Sequence, residues 1–337
     1  MKKLIVVYIF LLGLFALYLF YYKSTSLNET ALEKAQEGIR GNMNEKYVMV
    51  TFQAGHDYWK RALKGFEDAA GALNVSIEYR GAAQYDVHEQ ITVLEQVIAK
   101  KPDGIAISAI DPDKLTTTIN KAIDAGIPVV LFDSGAPSSK AQTFIGTDNY
   151  NAGVMGAQEM ASLLDNKGQV GIVTLPNQLN HQERVKGFLE TMEKDYPGIK
   201  VVEVKDGKGS EPISRMAAKE LLSKYPHLNG IFATEAIGGI GVGSAVSAVK
   251  GKNKVKIVSF DTDKPTLDLI KDGTISATLA QGTWKMGYWS MQFLFHLNHK
   301  LTADSKLGNI SAPPLPPNVD TGVSVITKKN VGDFYGQ

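Results

Sequence analysis

The chain has 337 residues, 44% hydrophobic and 21% charged, with a formal net charge of +1, enough chain for two compact lobes with separate cores. A balance so close to neutral, without a block of like charge, gives no electrostatic footprint for nucleic acid. The absence of cysteine excludes disulfides, thiolate nucleophiles, cysteine-ligated metals and the lipid-carrying cysteine of a lipoprotein.

After Met1-Lys2-Lys3 an apolar and aromatic run extends unbroken from Leu4 to Tyr22. A helix of that length spans roughly 28 Å, the thickness of a bilayer's hydrocarbon core. The run ends in Phe20-Tyr21-Tyr22-Lys23, an aromatic belt without a small-x-small cleavage pattern. Residues 1–22 are therefore predicted to be a single-pass signal-anchor in the cell membrane; the competing reading is a cleaved signal peptide. Lys2 and Lys3 favour an inside N-terminus, which places the rest of the chain in an extracytoplasmic position. Residues 23–45 are polar, with Leu27, Ala31, Leu32, Ala35, Ile39 and Met43 at three- to four-residue spacing. They read as a weakly amphipathic stalk, either a solvated tether or a short helix that contacts a partner.

From Tyr47 onward, short β-branched runs alternate with helix-period segments. Strands are predicted at Tyr47–Phe52, Ser76–Arg80, Gly104–Ser108, Val129–Asp133, Phe144–Asp148, Val170–Leu175, Lys200–Val204, Gly230–Thr234, Val255–Asp261 and Ile275–Gln281. Helices fall between them, among them Tyr58–Leu73, Glu89–Lys100, Leu115–Ala125, Asn151–Leu164, Gln182–Lys194 and Ile213–Lys224. Continuous apolar strands suit parallel sheets covered on both faces, and βαβα alternation suits doubly wound α/β architecture. So many strands exceed one such sheet. Residues 47–133 and 169–261 also follow the same element order, each closing on an apolar run that ends in Asp (VVLFD and KIVSFD). Two lobes are predicted: 46–147 with about 282–316, and 148–281 with about 317–333. The crossings are placed at FIGTDNY, after Gln281 and at the Pro-rich APPLPPN.

In open α/β sheets ligands sit beyond the carboxyl ends of the strands, which selects candidates without any motif. His56, Asp57, Tyr58 and Trp59 follow the first strand, Ser108 the third, and Asp133 and Ser134 the fourth. Gln182 and Arg184 open the helix after Val170–Leu175, and the later strands end at Glu235, Asp261 and Gln281. Planar groups that donate or accept in pairs suit the hydroxyls of a carbohydrate, and aromatic faces suit its C–H surfaces. Three carboxylates would repel a bare anion. Each aspartate has a plainer reading as a helix N-cap, and Asp148 reads as a hinge or cap. Tyr58 and Trp59 point about 100° apart on a helix, so one of them is a candidate for the core.

Gly239-Ile-Gly241-Val-Gly243-Ser244, with Asp261 beyond it, is a partial dinucleotide fingerprint. Its third glycine falls on Ser244, and helix packing explains the small residues equally well. No HExxH or GxSxG pattern and no clustered histidines point to catalysis or a metal, so neither enzyme activity nor a cofactor is expected.

The stretches YWKRALKGFEDAA, KPDGIAISAIDPDKL, AIDAGIPVVLFDS, IGTDNYNAG, QERVKGF, VKIVSFDTDKP and ISATLAQ resemble the ribose- and galactose-binding branch of the periplasmic binding proteins from Tyr47 to Lys328. The resemblance implies the type I fold of that family, two doubly wound lobes joined by hinge crossovers, with a sugar held between them. It further implies that Asp133 and Asp261 accept from ring hydroxyls, that Tyr58 and Trp59 sandwich the ring, and that Arg184 and Gln281 contact it. Departures from the ribose pattern fall at His56, Ser134, Glu235 and near Gly209, so a different sugar is expected. With a membrane helix in front, the chain is expected to serve as a sensory co-receptor for a partner such as a histidine kinase. The alternative is the receptor of an ATP-driven transporter, docking on its permease.

Overall fold

The computed structural model describes residues 13–18, 40–249, 255–301, 306–307, 310–311 and 315–335. Most of the predicted anchor and of the stalk lies outside them. Residues 13–18 are helical with Leu14, Phe15, Leu17 and Tyr18 exposed. Among the described residues no helix is long and apolar enough to cross a membrane.

The first lobe is built on β1 (Lys46–Thr51), β2 (Ser76–Gly81), β3 (Gly104–Ile107), β4 (Val129–Phe132) and β5 (Phe144–Gly146). Helices α1 (Tyr58–Leu73), α2 (Val87–Ala99) and α3 (Pro112–Asp124) connect them. After β5 the chain leaves for the second lobe. There α4 (Asn149–Leu163), β6 (Gly168–Thr174), α5 (Leu179–Asp195), β7 (Ile199–Asp206), α6 (Glu211–Lys224), β8 (Leu228–Ala233), α7 (Ala236–Ser247), β9 (Lys256–Phe260), α8 (Lys264–Asp272) and β10 (Ala277–Gln281) follow in turn. The chain then returns as α9 (Thr283–Asn298), followed by the short antiparallel pair β11 (Lys306–Leu307) and β12 (Ile310–Ser311), then β13 (Asn318–Asp320), β14 (Val323–Thr327) and a 3₁₀ turn (Val331–Phe334).

The six-stranded sheets run β13-β5-β4-β3-β1-β2 and β14-β10-β9-β8-β6-β7, the same order twice. Every pairing in the first is parallel; in the second, only β14 against β10 is antiparallel. β3 (GIAI) and β4 (VVLF) are buried at every position, as strands covered on both faces must be. Helix entries follow side-chain chemistry. Asp86, Asp111, Asp148 and Asp263 each accept backbone N–H groups of their first turns, which would otherwise lack partners. Asp148 is thus a cap at the first crossing.

The last crossing differs from the expectation. Asn318–Asp320 pair with Phe144–Gly146 in the first sheet, so the chain changes lobe at Thr321–Gly322 rather than near residue 317. The prolines lead into an edge strand, which needs partners on one side only. Gly322, with φ of +84°, supplies the turn, and Asp320 Oδ1 accepts from its N–H at 2.9 Å and from Asp148 N at 3.1 Å, tying two crossings together.

Glycines bring the helices that carry the site close to their neighbours. A Cβ on Gly287 of α9 would lie 1.8 Å from Ala62 O of α1, and one on Gly65 would lie 2.0 Å from Trp284 O. In the second lobe a Cβ on Gly153 of α4 or Gly187 of α5 would lie 2.1 Å from Arg184 O or Tyr150 O. Gly287→Ala is expected to force α1 and α9 apart and to cost about 1–3 kcal/mol of stability. Thermal unfolding measures this, and an unchanged midpoint would contradict the close approach. The partial dinucleotide motif has the same origin: Cβ atoms at Gly239 and Gly241 would meet Ser259 Oγ at 1.8 Å and Glu211 O at 2.5 Å.

Candidate ligand site between the lobes

The carboxyl ends of both sheets meet at a cavity of about 60 Å³. The lobes touch directly around it: Gln53 Nε2 donates to Gly209 O and Arg61 Nη1 to Thr262 Oγ1, each at 3.1 Å. His56, Tyr58, Trp59 and Asp133 line it from the first lobe, and Arg184, Glu235, Asp261 and Gln281 from the second. Ser108 and Ser134 are fully buried and are not part of the wall. Ser108 stands behind Asp133 and donates to its Oδ2 at 2.7 Å.

Asp133 and Asp261 occupy equivalent places, each directly after the fourth strand of its sheet. Asp133 N donates to Ile145 O and Asp261 N to Leu279 O. Both have left-handed backbones, with φ of +60° and +70°. Such positions cost non-glycine residues about 1 kcal/mol or more and recur at functional sites; here they turn two carboxylates into the cleft. Asp133 Oδ1 accepts from Tyr58 Oη at 2.5 Å, while Asp261 Oδ1 accepts from Gln281 Nε2 at 2.7 Å.

Arg184, in the first turns of α5, is 1% exposed. Its Nε donates to Asn149 Oδ1 at 2.9 Å, Nη1 to Thr234 O at 2.7 Å and Nη2 to Gln281 Oε1 at 2.6 Å, and its guanidinium lies 4.0 Å from the Phe260 ring centre. Gln281, on the second crossing, also accepts from Thr147 Oγ1 at 2.9 Å on the first. The network therefore joins the ligand wall to the segments about which the lobes would turn.

The expected aromatic sandwich takes another form. The Tyr58 and Trp59 rings meet edge to face, 4.9 Å apart at 74°, and so do not face each other as parallel plates. Trp59 is pinned by a 2.7 Å bond from Nε1 to Phe52 O and by edge contacts to Phe52 and Phe132. Tyr58 is tied to Asp133. His56 Nδ1 accepts from Tyr58 N at 3.2 Å.

Burial dominates the electrostatics. It raises Asp261 to about 7 against the opposing pull of Arg184. Burial, with the charge of Asp261 second, raises Glu235 to about 8. Asp133 is also raised by burial. Burial and then Arg184 hold His181 well below the ordinary histidine range, so it is neutral. Two polar atoms of the wall, Gln178 Nε2 and Glu235 Oε1, are buried without a hydrogen-bond partner. Unmet donors and acceptors beside carboxylates suit a neutral, hydroxyl-rich ligand.

Sequence reasoning missed Gln178, Asn180 and His181, all in the wall. It began the helix at Gln182, whereas α5 begins at Leu179; the rule about strand ends pointed at this loop but did not separate its residues. Gln182 itself is exposed and donates to Pro176 O at 2.7 Å. Opposite Gly209, the Tyr85 ring of the first lobe packs 3.4 Å from where a Cβ would stand.

The chain is similar over most of its length to known proteins. The sequence pattern of the periplasmic binding protein domain matches residues 47–300. A sugar-binding protein of a sugar ABC transporter from Bacillus halodurans is 63% identical, with a TM-score of 0.78 over 87% of this chain and 100% of that one. AraP, an arabinose-binding protein from Geobacillus stearothermophilus, is 63% identical, with a TM-score of 0.77 over 87% of this chain and 99% of that one. At 28% identity, a chain of the XylFII–LytSN complex aligns with a TM-score of 0.75 over 85% of this chain and 98% of that one.

Proposed function

The chain belongs to the periplasmic binding protein family, whose members bind sugars without chemical change, and on that premise we propose that it captures an arabinose-type pentose for an ATP-driven importer. One observation carries the reading: paired strand-end aspartates, Arg184 and Gln281 converge on one cavity lined by both lobes. Hydroxyls would take the open positions of the carboxylates and meet Gln178. A ligand that touches both lobes favours the closed state by its differential affinity for it. The likeness to an arabinose-binding protein and to a transporter's sugar receptor supports both the sugar class and the role in import. The apolar run from Leu4 to Tyr22 would hold the receptor at the outer face of the cell membrane.

Disruption of the gene in its own organism is expected to lower uptake of labelled L-arabinose at micromolar supply about tenfold or more. Unchanged uptake would overturn the transport role. The sensory reading has one observation in its favour, the likeness to a chain of the XylFII–LytSN complex. Under it, uptake would persist while arabinose-dependent gene expression was lost. Anchoring is tested separately: the full-length protein is expected in the membrane fraction, and a mature soluble form beginning after Tyr22 would contradict it.

A further inference from the structure

We propose that Glu235 serves this site as an uncharged carboxylic acid, donating its proton to an oxygen of the ligand. The inference rests on the reading of the cleft as a sugar site and names how one wall of it recognises the sugar. Glu235 follows β8 at the N-cap position of α7, yet its side chain caps nothing. The residue lines the cavity, and its Oε1 is buried without a hydrogen-bond partner. The one guanidinium facing it, that of Arg184, is directed elsewhere, to Asn149 Oδ1, Thr234 O and Gln281 Oε1.

The other groups around Glu235 are acidic or neutral. Asp261 lies beyond the neighbouring strand, Asp206 ends β7, and Tyr85 reaches across from the first lobe. Asp133 shares Arg184 from the opposite wall, and His181 is neutral. With Asp133, Asp261 and Glu235 all ionised, one guanidinium would face three buried carboxylates around one cavity. Like charges in such a space do not ionise together, and the group furthest from compensation keeps its proton. Burial and Asp261 raise Glu235 to about 8, while Asp261, bonded to Gln281 and pulled down by Arg184, stands at about 7. A protonated carboxyl offers one donor and one acceptor, the pattern of a carboxamide. The wall then holds an acceptor in Asp261 beside a donor in Glu235.

Two limbs of pH dependence follow. Asp261 accepts from the sugar when ionised, so binding lowers its pKa, and affinity falls as pH drops below about 7. Glu235 donates when protonated, so binding raises its pKa, and affinity falls as pH rises above about 8. Each limb approaches a slope of about tenfold per pH unit.

The test is calorimetric titration of the full-length protein with L-arabinose from pH 5.5 to 9.5, for wild type and Glu235→Gln. Wild type is expected to show both limbs. Glu235→Gln is expected to keep the acid limb and to lose the alkaline one, its affinity holding between about pH 8 and 9.5 where that of wild type falls. A loss beyond about thirtyfold at pH 7.5, or an alkaline limb shared by both proteins, would overturn the assignment. If wild type binds no pentose, the sugar reading itself fails. Carboxyl carbon NMR of ligand-free protein labelled at glutamate then decides the state of Glu235 separately. A signal missing from Glu235→Gln and titrating near 8 supports the neutral acid, whereas one titrating in the ordinary glutamate range rejects it.

Discussion

Asp261→Ala is expected to weaken sugar binding by about 2 kcal/mol or more, roughly thirtyfold, because it removes charge-assisted hydrogen bonds from a buried ligand. Asp261 turns into the cavity on a left-handed backbone and keeps one carboxylate oxygen bonded to Gln281. Alanine adds strain at φ of +70°, so Asp261→Asn, which tolerates that backbone better, is the companion variant. It should lose most of the affinity with little change in fold. Calorimetry measures both, and unchanged affinity in Asp261→Asn would remove the residue from the site. Asp133→Ala is expected to cost a similar amount, with an added loss to the Tyr58 and Ser108 hydroxyls that now donate to it.

Arg184→Leu is expected to be the most damaging change to the fold, at about 3–5 kcal/mol of stability. It takes a donor from Asn149 Oδ1 and Thr234 O, leaves Gln281 Oε1 with Thr147 Oγ1 alone, and removes the cation shared by three carboxylates. The sign of its pH dependence is fixed. Carboxyls whose folded pKa lies above the unfolded value weaken the fold as pH rises through that window. For Asp261 and Glu235 the window runs from the ordinary carboxylate range to about 7 and about 8. The loss in Arg184→Leu should therefore be larger at pH 8 than at pH 5.5. A shift under about 1 kcal/mol, equal at both pH values, would mean that the guanidinium balances nothing.

Much of this was legible in the sequence because parallel sheets leave a plain pattern. Runs such as GIAI and VVLF are apolar throughout because both faces are covered. Once the strands were placed, the rule about their carboxyl ends found Asp133, Arg184, Glu235, Asp261 and Gln281, which the structure gathers in one cavity. What escaped depended on geometry that a linear pattern does not carry. Ser108 and Ser134 also follow strands, but their side chains fall behind the wall. Gln178, Asn180 and His181 belong to a helix start without a side-chain cap, so nothing in the sequence marked where α5 begins. The last crossing was drawn at the prolines because proline reads as a breaker, yet Asn318–Asp320 extend the first sheet before the chain crosses. The edge-to-face aromatic pair followed from Phe52 O holding the indole of Trp59, a tertiary contact.

The most direct measurement is calorimetric titration of the purified protein against L-arabinose, D-ribose, D-xylose, D-glucose and D-galactose at pH 7.5. Saturable binding of one molecule of a pentose, micromolar or tighter and lost in Asp261→Asn, is the predicted result. Silence across the panel, or binding that survives Asp261→Asn unchanged, would contradict the claim that this cleft is a sugar site.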